Sequence, residues 1–138
     1  MMLPHPVPDP PMLRIASLHH VSLAVTDIAR ARRFYAEVLG LPEIERPRFP
    51  FPGAWYAVGD RQLHLIVGDD PTLRDGKPID TRDAHFAIRV ASYRDAVAHL
   101  RALGYTPDAA DAMYRTREQP HATAGFPQVY LLDPDRNV

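Results

Sequence analysis

The hydrophobic and polar positions between Leu18 and Leu41 predict a strand followed by an amphipathic helix. Apolar and polar residues alternate from His19 to Val25, which is the period of a half-buried strand. The apolar residues on one face of this strand are Val21, Leu23 and Val25. Asp27 can cap the helix that follows, and Gly40 can adopt the left-handed conformation that ends it.

The same pattern recurs between His85 and Tyr105. A short alternating stretch is followed by the cap residue Ser92, a helix with one apolar stripe, and the stop residue Gly104. In both copies a histidine opens the face opposite the apolar residues, His20 in the first and His85 in the second. The sequence therefore predicts two copies of one module, each of which places a histidine on the same face of its sheet.

Turn-forming and proline-rich segments divide the chain into four parts. These are a flexible tail over 1–14, a first βαβββ module over 15–67, a linker over 68–84, and a second βαβββ module over 85–138 whose last strand is truncated. The further strands expected in the modules are 43–46, 54–58 and 62–67 in the first, and 113–116 and 128–132 in the second. A mobile loop is expected over 118–125.

Composition narrows the class of protein. The net charge of −1 offers no electrostatic basis for binding nucleic acid or an anionic membrane. The sequence contains no cysteine, which excludes disulfide and thiolate chemistry and fits a cytoplasmic location. No apolar run approaches the roughly 20 residues that a membrane-spanning helix needs. We therefore expect a cytoplasmic protein that binds a small molecule.

Three histidines are candidates for chemistry, namely His20, His64 and His85. All three alternate with aliphatic residues, so they should occupy the polar face of their strands. A histidine at the start of a strand is often simply hydrogen-bonded, and that interpretation stays open for each of them. If the two modules curve around a shared cleft, the three imidazoles can converge, and they would then suit a divalent transition metal.

Four segments together resemble the vicinal oxygen chelate superfamily, which includes glyoxalase I, the fosfomycin and bleomycin resistance proteins, and the extradiol dioxygenases. The segments are LHHVSLAVTDIARARRFYAEVLGL, QLHLIV, DAHFAIRV and VYLLDPDRNV. The resemblance implies an α+β fold, in which two βαβββ modules form a curved mixed sheet around a metal-binding cleft. It also implies a homodimer and a small-molecule substrate.

The resemblance further implies a ligand set for one divalent metal ion, either Zn, Ni, Mn or Fe. His20, His64 and His85 match three ligand positions of the family. The fourth ligand is typically a glutamate seven residues after the aspartate equivalent to Asp133, which places it beyond Val138. We therefore expect the protein to continue for a short distance past Val138. No general base can be assigned, because relatives often use that carboxylate.

Other polar and aromatic residues are weaker candidates for binding substrate. Arg89 is expected on the face that carries His85, where it would meet a substrate anion or an ion-pair partner. Three aromatics lie near the proline-rich crossing of the first module and either line a pocket wall or belong to the core, namely Phe49, Phe51 and Trp55. His121 lies in the long loop of the second module and can reach the cleft mouth. His19 is interpreted as structural and His99 as solvated.

Three functions follow from these features. The first is a glyoxalase-like lyase or isomerase, whose metal is chelated by two vicinal oxygens of the substrate. The second is an Fe(II) extradiol-type dioxygenase, in which His20, His85 and the missing carboxylate form the ligand triad and His64 lies outside it. The third is a non-catalytic protein that sequesters a small molecule, as bleomycin resistance proteins do. The histidines favour the first two.

Overall fold

The structure is a computed structural model that describes residues 13–69 and 74–138. Most of the expected tail and a part of the expected linker lie outside these residues. The elements of the first half are β1 (His20–Val25), α1 (Ile28–Arg32) with a π-helical continuation (Arg33–Val38), β2 (Glu43–Ile44), β3 (Gly53–Val58) and β4 (Arg61–Val67). The second half contains α2 (Tyr93–Ala102), a 3₁₀ turn (Ala112–Tyr114), β5 (Arg117–Gln119) and β6 (Gln128–Tyr130).

Four strands of the first half form one mixed sheet in the order β1-β4-β3-β2. β1 runs parallel to β4, whereas β3 is antiparallel to both β4 and β2. One face of this sheet is packed against the helices and forms the core. Its buried members include Val25, Ala54, Tyr56, Leu63 and Leu65. The apolar residues whose alternation predicted β1 and β4 therefore face the core, as expected.

The first helix begins as predicted and then departs from regular α geometry. The Asp27 carboxylate accepts a hydrogen bond from the backbone N–H of Arg30 at 3.0 Å, which satisfies a free N-terminal donor. Further on, the N–H of Leu39 donates to the carbonyl oxygen of Phe34 at 3.0 Å, so the turn is one residue wider than in an α-helix. This π-helical turn brings the consecutive aromatics Phe34 and Tyr35 into the core together.

The second module differs from its prediction at its first strand. Ser92 caps α2 as expected, accepting from the N–H of Asp95 at 3.1 Å, and Leu100 packs into the core. However, residues 85–90 form no strand. In the first module, the strand that pairs with β1 is β4, along the whole length of β1. No strand of the described residues pairs with 85–90, so this stretch lacks the ladder that would satisfy its backbone groups.

The other strands of the second module are also shifted from their predicted positions. No strand forms over 113–116: its first two residues lie in the 3₁₀ turn, and Arg115 makes only an isolated bridge with Thr106. The strand instead lies at β5, which overlaps the start of the stretch 118–125 expected to be a mobile loop, and it pairs antiparallel with β6. Weak apolar alternation in this region left the strand register undetermined by the sequence.

The C-terminal turn fastens the second module onto the first. The buried Asp133 carboxylate accepts hydrogen bonds from the Tyr35 hydroxyl at 2.8 Å and from the side-chain amide of Asn137 at 2.8 Å. Asp135 accepts from the hydroxyl of Thr26 at 2.7 Å. The side-chain amide of Asn137 also donates to the carbonyl oxygen of Ala24, at the end of β1. None of the helices in the described parts of the chain is long and apolar enough to cross a bilayer.

The buried Tyr35 hydroxyl should make the protein sensitive to alkali. Burial, reinforced by the neighbouring Asp133 carboxylate, holds the pKa of Tyr35 well above its ordinary value of 10.0. In the unfolded chain this tyrosine ionises near its ordinary pKa, while in the folded protein it stays neutral. The free energy of unfolding should therefore fall as the pH rises above about 10, by up to about 1.4 kcal/mol per pH unit.

The Tyr35→Phe variant tests this dependence. It should be less stable than the wild type at neutral pH by about 1 kcal/mol, because the hydrogen bond to Asp133 is lost. Its stability should then decline less steeply above pH 10. Urea unfolding across the alkaline range measures both effects. The exposed Tyr114→Phe variant is the control, and an equal alkaline decline in all three proteins would show that Tyr35 is not responsible.

Candidate functional site

The face of the sheet opposite the core carries two of the three predicted histidines in direct contact. In the parallel ladder, His20 pairs with Gln62 and Ser22 pairs with His64, so both histidines project from the same face. Their imidazole rings stack with a centroid distance of 4.2 Å and an interplanar angle of 18°. The prediction that His20 and His64 share the non-core face is therefore confirmed by the register.

His64 is more buried than His20, with only 7% of the residue exposed. Its second ring face stacks on Trp55 at 3.9 Å, so the imidazole is held between two flat rings. Its Nε2 atom lies 2.8 Å from the Oε1 atom of Gln62. Burial, followed by the neighbouring His20, lowers the pKa of His64. The imidazole is thereby kept neutral, which is the form that binds a metal.

His85 lies in a different environment. It is exposed, and its Nδ1 atom lies 2.8 Å from the carbonyl oxygen of Asp83. Because a carbonyl oxygen only accepts, Nδ1 is the donor in this contact, and in the neutral tautomer that it favours the lone pair lies on Nε2, which is the arrangement common in metal-binding histidines. The edge of the ring meets Tyr130 at a centroid distance of 5.7 Å.

These donors fit a divalent metal in chemical type, although the structure does not assemble the full ligand set. Within 13–69 and 74–138, no group of three or more His, Cys, Asp or Glu side chains is placed to hold a metal ion. The lone pair of an imidazole nitrogen lies in the ring plane, so the nearly parallel rings of His20 and His64 do not aim at one point. One ring must turn out of the stack for both to bind a common ion. The ligand set of His20, His64 and His85 stays a prediction.

Aromatic rings extend from the histidine pair towards the proline-rich crossing. Phe49 lies 6.2 Å from Trp55, and Phe49 and Phe51 stack on each other at 5.2 Å. Both phenylalanines are substantially exposed, whereas Trp55 is half-buried. Of the two roles considered for Phe49 and Trp55, lining an open wall beside the histidines agrees better with these positions than membership of the core.

The remaining candidates lie apart from these contacts. Arg89 and His121 are exposed, and neither takes part in the side-chain hydrogen bonds or ion pairs of the described residues. Their role in substrate binding stays a prediction. The Nδ1 atom of His19 lies 2.9 Å from that of His20, so His19 adjoins the pair rather than the core. His99 is exposed, but its Nε2 contacts the carbonyl oxygen of Val38 at 2.8 Å and joins the two helices.

Sequence reasoning missed two residues that the structure places at this site. Gln62 contacts His64, and it could have been found because it lies two positions away on the same strand face. Arg46 lies over the rings of Phe49 and Phe51, with its guanidinium carbon 4.8 Å and 5.1 Å from the two ring centroids. Nothing in the local pattern of hydrophobic residues indicated this position, because the segment 46–53 has no regular periodicity.

The chain belongs to the Glyoxalase/Bleomycin resistance protein/Dioxygenase superfamily. The sequence model of this family matches residues 17–138, which is nearly the whole chain. A curated relative, the uncharacterized protein YaeR of Escherichia coli, is 30% identical over 93 residues. That match covers 64% of this chain and 72% of YaeR. The superfamily resemblance inferred from the four motif segments is thus confirmed.

Solved structures confirm the glyoxalase-like α+β fold. A protein assigned to the glyoxalase family in Bacillus anthracis superposes with a TM-score of 0.71 at 22% identity, covering 91% of this chain and 93% of that one. Lactoylglutathione lyase from Agrobacterium tumefaciens gives 0.60 at 21% identity, with 90% of each chain covered. A fosfomycin resistance protein, FosX from Listeria monocytogenes, gives 0.62 at 18% identity, covering 90% of this chain and 88% of that one. The FosX structure is a complex with Mn(II) and a dihydroxypropylphosphonic acid.

Proposed function

We propose that this protein is a divalent-metal-dependent enzyme of the glyoxalase-like group. It acts as a lyase or isomerase on a small substrate that chelates the metal through two vicinal oxygens. The contact between His20 and His64 carries this proposal, because it brings together two imidazoles, which are potential metal ligands, on the non-core face of the sheet. The Mn(II) in FosX and the activity named for the Agrobacterium protein support the same class.

His20 and His64 would hold the metal once one ring has turned out of the stack, with His85 and a carboxylate as further ligands. A divalent metal bound there supplies Lewis-acid stabilisation of an oxyanion that develops on the substrate. Trp55 shields one face of His64 from water, and its stacking limits the positions that this imidazole can adopt. Gln62 accepts from the Nε2 atom of His64 and so leaves the lone pair on Nδ1.

Metal content tests this proposal. Protein purified without chelators should contain about one divalent ion per chain by elemental analysis, and His20→Ala should lose most of it, because a ligand is removed. His99→Ala is the matched control, since it removes an exposed histidine that lies on α2, away from the β1–β4 face. Absence of metal from the wild type, even after reconstitution with Zn, Ni, Mn and Fe in turn, would contradict an enzymatic role.

The contact between His64 and Gln62 favours one second candidate, a non-catalytic small-molecule-binding protein. A histidine whose Nε2 is already satisfied by an amide oxygen, and which is stacked on both faces, can be entirely structural. Such a protein would bind its ligand without metal. The metal analysis above separates the two functions.

The homodimer implied by the superfamily resemblance, and the cytoplasmic location inferred from the absence of cysteine, belong to this proposal as well. Light scattering coupled to size-exclusion chromatography should give twice the mass of 15.5 kDa calculated for one chain. A monomer at micromolar concentration would contradict the expected homodimer.

A further inference from the structure

Six rings form a continuous row across the non-core face of the sheet. In spatial order they are Phe51, Phe49, Trp55, His64, His20 and His19. The phenylalanine end of the row is open to solvent, since Phe49 is 43% and Phe51 is 39% exposed. An apolar surface open to solvent therefore lies next to the candidate metal site, from which it is separated in the row by Trp55.

A cation lies on this same surface. Gly53 pairs with Ile66 and shares a strand face with Trp55. A Cβ atom built on Gly53 would clash first with the backbone carbonyl oxygen of Leu65, and would also lie 3.0 Å from both Nε and Nη2 of Arg46. The missing side chain of Gly53 thus leaves the space that the Arg46 guanidinium occupies. Arg46 lies over the two phenylalanine rings, at the end of the row opposite His20 and His19.

The charge of Arg46 has no counter-ion among the described residues. Its Nη2 donates to the carbonyl oxygen of Phe51 at 2.9 Å, and its buried Nε has no hydrogen-bond partner in the described parts of the chain. None of the ion pairs formed by residues 13–69 and 74–138 involves it. By contrast, Arg30, Arg32 and Arg101 each pair with a carboxylate. A half-buried guanidinium that lacks an anion is suited to receive one from a ligand.

We propose that Arg46, Phe49 and Phe51 form a substrate subsite for the aromatic ring and carboxylate of a planar aromatic acid. The ring would stack on the phenylalanine pair. The carboxylate would accept hydrogen bonds from the Nη1 atom of Arg46, which makes no hydrogen bond to described residues. The part of the substrate that carries the vicinal oxygens then extends along the row to His64 and His20. This assignment of substrate class rests on the proposed metal-dependent function, whereas the subsite can be tested without metal.

Benzoate is the probe, because it is the smallest ring that carries a carboxylate. Trp55 is the single tryptophan of the sequence, so its fluorescence reports binding next to Phe49 without labelling. Benzoate should change this fluorescence with saturation. Benzyl alcohol, which has the ring without the charge, and acetate, which has the charge without the ring, should each bind at least tenfold more weakly. Equal responses to benzoate and benzyl alcohol would overturn the role of Arg46.

Matched variants locate the interaction. Arg46→Gln should weaken benzoate binding at least tenfold, while Arg48→Gln, which removes an exposed cation two residues away, should leave it unchanged. Phe49→Leu should weaken benzoate more than acetate. Circular dichroism establishes that each variant is folded, and the comparison of the three probes on the wild type holds even if Arg46→Gln fails to fold. Equal loss in the Arg48 variant would show non-specific attraction and contradict the subsite.

Metal analysis of the same samples separates this inference from the proposed function. Benzoate binding that depends on Arg46 in a protein without metal would support the subsite and defeat the enzymatic proposal. Metal at about one ion per chain, without a saturable benzoate response, would support the enzyme and overturn the subsite.

Discussion

Replacing Asp133 by alanine is expected to lower the stability of the folded protein by about 3 kcal/mol or more. The carboxylate is 1% exposed and accepts from the Tyr35 hydroxyl, from the backbone N–H groups of Asp135 and Asn137, and from the Asn137 side chain. Removing a common acceptor leaves several donors unsatisfied, and each buried one costs about 1–3 kcal/mol. For a chain of this size the melting temperature should fall by about 10 °C.

Thermal unfolding followed by circular dichroism measures this change. Asp108→Ala is the matched control, because Asp108 is exposed and should alter the melting temperature by no more than a degree or two. Asp133→Asn should lie between the two, because it preserves the shape and one acceptor oxygen. If Asp133→Ala has the same melting temperature as the wild type, the turn at 133–137 does not hold the two modules together.

Replacing His64 by alanine is expected to weaken metal binding by about 100-fold or more. Loss of an outer-shell partner alone costs about 10–100-fold in metal affinity, and a direct ligand should cost at least as much. The prediction separates the two enzymatic interpretations of the site. In a dioxygenase, His20, His85 and a carboxylate would hold the ion, so metal binding should survive the change.

Competition with a chromophoric chelator measures the affinity, and two controls make the result interpretable. Gln62→Ala removes the partner of the His64 Nε2 atom without removing an imidazole, so it should reduce the affinity less than His64→Ala. Because the His64 ring fills the space between Trp55 and His20, a thermal melt must show that the alanine variant remains folded. Unchanged metal affinity in a folded His64→Ala protein would leave the lyase or isomerase interpretation without its distinctive ligand.

Local patterns predicted the first module well because its elements are specified over short distances. The alternation in β1 and β4 predicted which face meets the core, and the capping residues Asp27 and Ser92 accept the hydrogen bonds expected of them. The two hairpin strands differ from prediction by only one residue at their starts. Strands with one buried face have a strongly specified register, since a slip by one residue would turn every apolar side chain outwards.

The same reasoning failed where a strand depends on a distant partner. Residues 85–90 alternate much as β1 does, yet they form no strand, because a strand needs a neighbour to satisfy its backbone groups. The hydrophobic periodicity of the sequence also did not predict the π-helical turn of the first helix. It coincides with the burial of two consecutive aromatics, Phe34 and Tyr35, and with the hydrogen bond from Tyr35 to Asp133, which lies 98 residues away in the sequence.

For the candidate site, periodicity was sufficient to place His20 and His64 on one face, since side chains two residues apart on a strand point the same way. The sequence motifs were also sufficient to identify the superfamily. Only tertiary packing could bring the two rings into contact, enclose His64 against Trp55, and lay Arg46 across Gly53. These contacts join separate strands and an irregular crossing, and their geometry follows from strand register and excluded volume rather than from any pattern within one segment.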